Sequence, residues 1–139
     1  MNYDYNIAIP TYNRPDTLLK STLPLLQKHN IPTNIIHIFV HNQQQYELYN
    51  DTTKLGYKVI NTNTPLGKRF QLEYISNYFP PNSKVVNFDD DVYELYECYL
   101  DNNKLTNKLI EKNIKSLLII MNKSYLFCKI FNILTIFLQ

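Results

Sequence analysis

The chain has 139 residues, 45% of them hydrophobic, two cysteines and a net charge of +2. That length suits one domain with enough apolar side chains for a core. The small charge and the lack of any dense lysine block exclude a nucleic-acid-binding surface of the usual kind.

The N-terminal MNYDYN is polar and partly acidic, unlike a signal peptide. Cys98 and Cys128 match no zinc spacing. They read as reduced, buried thiols, so a cytoplasmic setting is expected. Lysine is the default base, and Arg14 and Arg69 are the two arginines. An arginine in that background marks a place that needs a planar, two-pronged donor. Gly56 and Gly67 are the two glycines.

Residues 5 to 9, YNIAI, read as a short buried strand that Pro10 ends. TYNRPD is turn chemistry. A helix is expected from Pro15, with Leu19, Leu23 and Leu26 on one face and an interruption at Pro24. IIHIFV, 35 to 40, is a nearly continuous apolar run, the mark of a strand covered on both faces. QQQYELYNDT, 43 to 52, reads as a short polar helix, and GYKVI, 56 to 60, as a third strand. After the loop NTNTPLG, residues 68 to 79 form an amphipathic helix, and KVVNF, 84 to 88, a fourth strand. Strands alternating with helices predict an α/β domain with a mostly parallel sheet.

From residue 103 the character changes. NKLTNKLIEKNIKSLL reads as a helix, and Glu111 is the last acid. The apolar tail approaches the length of a membrane span, but Asn122, Lys123, Lys129 and Asn132 interrupt it. A peripheral membrane helix or one buried in an oligomer or partner interface is expected over a true span. The domain reading is therefore 1–102 for the α/β unit and 103–139 for a helical, hydrophobic tail.

In parallel α/β sheets, ligands bind beyond the carboxyl ends of the strands. TYNR, HNQQQ and DDD follow the first, second and fourth strands, and PLGKR opens the third helix. Asp89 and Asp91, one residue apart, can bring two carboxylates to one hard divalent ion shared with substrate phosphates. An acidic surface turn or helix cap explains the triplet equally well. Gly67, Lys68 and Arg69 open a helix, where backbone donors favour an anion. Tyr12 and Asn13 offer a ring and an amide to a flat base, and Arg14 a reach to phosphate. His37 and His41 do not converge as zinc ligands would.

The segments IAIPTYNRPDTL, IHIFVHN, PLGKRFQLEYI and VVNFDDDV, in this order over residues 5 to 95, resemble the nucleotide-sugar-binding half of GT-A fold (Rossmann-like, family 2-like) glycosyltransferases. The likeness extends to small viral and phage enzymes related to DNA-base glucosyltransferases. The resemblance implies that Thr11, Tyr12, Asn13 and Arg14 line a nucleotide pocket, with Asn42 toward the base. Lys68, Arg69, Asp89 and Asp90 would face ribose or diphosphate, and Asp89 and Asp91 would hold Mn2+ or Mg2+. It implies a metal-dependent transferase passing sugar from a nucleotide-sugar, UDP-linked by expectation, to a hydroxyl on a glycan, protein or modified DNA base. Relatives carry an acid after the second strand, where His41 and Asn42 stand here, and they continue much further. The chain is therefore expected to be C-terminally truncated. A non-catalytic nucleotide-sugar-binding or interaction module is the alternative, and a plain α/β structural subunit a third reading.

Overall fold

The computed structural model describes residues 5–102, 104–109 and 137–138. Its strands are β1 (Tyr5–Pro10), β2 (Ile36–Val40), β3 (Lys58–Asn61), β4 (Lys84–Phe88), β5 (Tyr96–Asp101), β6 (Lys104–Leu109) and β7 (Phe137–Leu138). The helices are α1 (Pro15–Lys20), α2 (Thr22–Lys28), α3 (Gln43–Leu48), α4 (Asn50–Lys54) and α5 (Lys68–Tyr78). The first four strands form an all-parallel sheet in the order β3-β2-β1-β4. The two-residue β7 pairs parallel with β4 at the outer edge. The expected α/β architecture is present, and it is Rossmann-like in its strand order.

Both faces of the central strands are covered, which is why β2 reads as a nearly continuous apolar run. Strand side chains alternate between faces. Ile7, Ile9, Ile36, Ile38 and Val40 pack on one face with Leu18, Leu23, Leu25 and Leu26 of α1 and α2. Ala8 and Phe39 pack on the other face with Ile75, Leu72, Tyr74 and Tyr78 of α5. The Phe39 ring meets Tyr78 edge-on at 5.2 Å between centroids.

β1 ends at Pro10 as expected, with the proline itself as its last paired residue, opposite Phe39. Thr11 N–H bonds to the Phe39 carbonyl, so the N–H that Pro10 lacks would face β4, where pairing has already ended at Ala8. Several elements differ from the sequence expectation for definable reasons. The first helix breaks at Ser21, three residues before Pro24. The break leaves Pro24 in the first turn of α2, where no backbone donor is needed. The polar helix divides at Tyr49 into α3 and α4. The third strand starts two residues later than expected, at Lys58.

The largest correction concerns residues 103 onward. Lys104–Leu109 is a strand, paired antiparallel with β5 across a turn where Asn102 has φ 49°. Leu105 and Leu109 are four apart, a spacing that shares a face on a strand as well as on a helix, so it could not discriminate. The hairpin also crosses the boundary drawn at residue 102. The rest of the expected tail helix, 110–136, lies outside the described residues. Among the described residues, no helix is long and apolar enough to cross a membrane.

Two histidines sit in this framework as neutral groups. His29, at the end of α2, is buried, and neither ring nitrogen has a hydrogen-bond partner among the described residues. Burial holds its pKa below the usual value, helped by Lys28. His37, buried beside the Phe79 ring, is lowered by burial and then by Lys58. An unfolded chain takes up these protons near pH 6.5, whereas the folded chain resists them until lower pH. The stability they contribute is therefore complete above about pH 6.5 and lost as pH falls through the folded values. Urea midpoints at pH 7.5 and 5.5 should show a drop in stability that shrinks in the double variant His29→Leu, His37→Leu. An unchanged pH slope in that variant would contradict this account.

Candidate functional site

The chain runs β1, β2, β3 across the sheet in one direction, then returns to place β4 on the far side of β1. The segments after β1 and β4 therefore lie side by side beyond the carboxyl ends of the strands and line a crevice there. The segment after β1 carries Thr11 to Arg14, and the one after β4 carries Asp89 to Asp91. A cavity of about 190 Å³ lies here.

Its foundation is Asp90, which is 1% exposed. In β4, Val86 and Phe88 face the core, and two residues on, Asp90 falls on the same side. The Thr11 hydroxyl donates to its Oδ2 at 2.5 Å, and Arg14 Nη2 meets Oδ1 at 2.7 Å. The proton order follows. A carboxylate only accepts, so the Thr11 hydrogen points to Asp90. The Tyr49 hydroxyl must then donate to Thr11 Oγ1, 2.7 Å away. Tyr49 oxygen in turn accepts from the Arg14 backbone N–H at 3.1 Å. The four groups close a ring from Arg14 through Tyr49, Thr11 and Asp90 back to Arg14. Burial raises the Asp90 pKa, while the Thr11 hydroxyl and Arg14 pull it back. Burial likewise raises that of Tyr49.

Polar side chains brace the strand ends around this ring. Gln71 of α5 donates through Nε2 to the carbonyls of Thr11 (3.2 Å) and Phe39 (3.1 Å). Gln45 Oε1 accepts from the backbone of Asn13, which has φ 54°. Thr22 accepts from the Val92 N–H and donates to the Asp89 carbonyl, tying the triplet to α2.

The outer aspartates behave differently. Asp89 is paired with Lys68, and Asp91 meets Arg14 Nη1 at 3.0 Å. Their side chains are 31% and 49% exposed, so neither is a core group. Lys68 opens α5 after Gly67, whose φ of 137° suits glycine alone. No acid lies in the first turn of α5. A base at a helix N-terminus is unfavourable unless a negative charge stands nearby, and Asp89 provides one.

The structure brings together most of the residues singled out from sequence. Thr11, Tyr12, Arg14, Lys68, Asp89 and Asp90 line the cavity. Asp91 sits just beyond it, across Arg14. Arg69 is exposed and does not line it. Asn13 shapes the turn, and Asn42 caps α3, accepting from Gln45 N–H at 2.9 Å, so neither lines the cavity. Tyr49, Gln45 and Gln71 went unnoticed in the sequence. Their signal was a polar or hydroxyl group at i, i+4 from another buried residue: Gln45 with Tyr49, Gln71 with Ile75.

Among the described residues, no three His, Cys, Asp or Glu side chains converge as a metal cage. Asp89 and Asp91 still offer the hard oxygen donors that suit Mg2+ or Mn2+, provided other oxygens complete the shell. No family model matches the chain, and no curated protein or solved structure matches it significantly. The site is a charged crevice at the switch point of a Rossmann-like α/β domain.

Breaking the ring should destabilise the fold. Thr11→Val and Tyr49→Phe should each cost about 1–3 kcal/mol, because each leaves a buried partner unsatisfied. Urea denaturation of the double variant should show a loss smaller than the sum, since both substitutions interrupt one ring. Strict additivity would contradict the ring.

Proposed function

We propose that the crevice binds the diphosphate of a nucleotide-sugar together with a divalent ion, as the donor site of a metal-dependent glycosyltransferase. The observation that carries this reading is the convergence of Arg14, Lys68 and Asp89 on one cavity where the strand order reverses. Both bases are engaged by acids of the triplet. A diphosphate would take Lys68 and the outer prong of Arg14, and Asp89 and Asp91 would turn to the ion. The buried Asp90 would keep its grip on Arg14 throughout and hold the guanidinium in place.

Mn2+ or Mg2+, when bound, supplies the Lewis acid that neutralises a departing nucleoside diphosphate. Arg14 and Lys68 would add fixed positive charge at the same place. The acceptor would be a hydroxyl on a glycan, protein or modified DNA base. A second reading, a nucleotide-sugar-binding module without catalysis, is favoured by one observation. Both acids lining the cavity, Asp89 and Asp90, are held by bases, so neither stands ready to take a proton from an acceptor.

A thermal melt with Mn2+, with UDP and with both tests the donor site. Binding to the folded state should raise Tm by about 5 °C or more at saturating ligand, and only with both present. Asp91→Asn should abolish the shift. A cooperative melt indifferent to both ligands would contradict the proposal. Release of sugar from a UDP-sugar, with and without a hydroxyl acceptor, then separates the transferase from the binding module.

A further inference from the structure

His41, at the end of β2, lines the same cavity and is 9% exposed. Its protonation pattern is set by its neighbour. Asn42 Oδ1 accepts the backbone N–H of Gln45, and a backbone N–H can only donate, so the orientation of the Asn42 amide is fixed. Nδ2 of that amide therefore faces His41 Nε2, at 3.0 Å. An amide nitrogen can only donate, so Nε2 accepts, and the hydrogen of the neutral ring lies on Nδ1. Nδ1 is buried and has no hydrogen-bond partner among the described residues. A residue of the cleft wall thus carries a buried, oriented donor without an acceptor among the described residues, an arrangement that buried polar groups normally avoid.

The surroundings describe what would satisfy it. Tyr12 packs its ring 5.2 Å from the His41 ring, tilted by 53°, and is itself 46% exposed. Leu66, on the same cavity, is 60% exposed. Exposed flat and apolar surfaces beside an orphan donor suit a flat heterocycle with an acceptor on its edge.

We propose that His41 is a specificity-determining donor, fixed in polarity by Asn42, that reads a ring-nitrogen or carbonyl acceptor on the heterocycle of the bound ligand. This rests on the nucleotide reading above, in which the heterocycle is the base. Tyr12 turns outward to admit the ring and covers it.

Calorimetry with Mn2+ and either UDP or inorganic pyrophosphate separates the base from the diphosphate. Wild type should bind UDP more tightly than pyrophosphate. His41→Phe should weaken UDP about tenfold and leave pyrophosphate unchanged. His41→Asn, whose amide places a donor near the Nδ1 position, should recover most of that loss. Melts without ligand show whether each variant folds. Long-range 15N–1H correlation on the wild type, which needs no variant, should show Nδ1 protonated and Nε2 bare. The opposite tautomer, or equal UDP affinity in His41→Phe, overturns the inference. Pyrophosphate binding with no gain for UDP overturns it and leaves the diphosphate site standing. Failure of both probes to bind removes the nucleotide reading and this inference together.

Discussion

Burying the carboxylate of Asp90 is the constraint on which the rest of this site depends. A carboxylate withdrawn from water loses several kcal/mol of hydration unless donors replace it. Thr11 and Arg14 are those donors, and both come from the segment after β1. The requirement therefore pins the ends of β1 and β4 to each other, at the one place where the strand order reverses. Tyr49 extends the demand to the junction of α3 and α4 by holding Thr11 and the Arg14 backbone.

The same arrangement divides three consecutive aspartates into two kinds. Just past the end of β4, Asp90 is buried on the side of Val86 and Phe88, whereas Asp89 and Asp91 keep their side chains partly in solvent. The outer pair repel each other, and each is offset by a base from another segment, Lys68 and Arg14. These exposed pairs contribute little to stability, in the range typical of surface ion pairs. The role proposed for them is functional. Bases and acids that satisfy one another can exchange partners with a metal diphosphate at low cost. In the proposed exchange Asp90, which is buried, would take no part and would keep Arg14 aimed.

Much of this was legible beforehand. The short buried strand at 5–9 and the nearly continuous apolar run at 35–40, the mark of a strand covered on both faces, were readable, and the turn chemistry of TYNR and the charge of DDD pointed to the strand ends. The alternation of Val86, Phe88 and Asp90 was also there to be read, and it separates the buried aspartate from the outer two. Other features were hidden because local pattern underdetermines them. Gln45 and Tyr49 lie in a stretch whose polar composition suggests a solvated helix, and only tertiary contact reveals them as braces. The position of the helix break at Ser21 rather than Pro24 depends on where proline's missing donor costs least. The β5–β6 hairpin was masked by a leucine spacing common to helix and strand.

The central claim is that the ion pairs of the crevice are exchanged for a metal and a diphosphate together. Calorimetric titration measures it directly: UDP with and without Mn2+, and Mn2+ with and without UDP. The account predicts that each ligand tightens the other at least tenfold and, by linkage, by the same factor. Independent binding of the two, with a factor near one, would contradict it, because a ligand that leaves the pairs intact has no reason to call for the other.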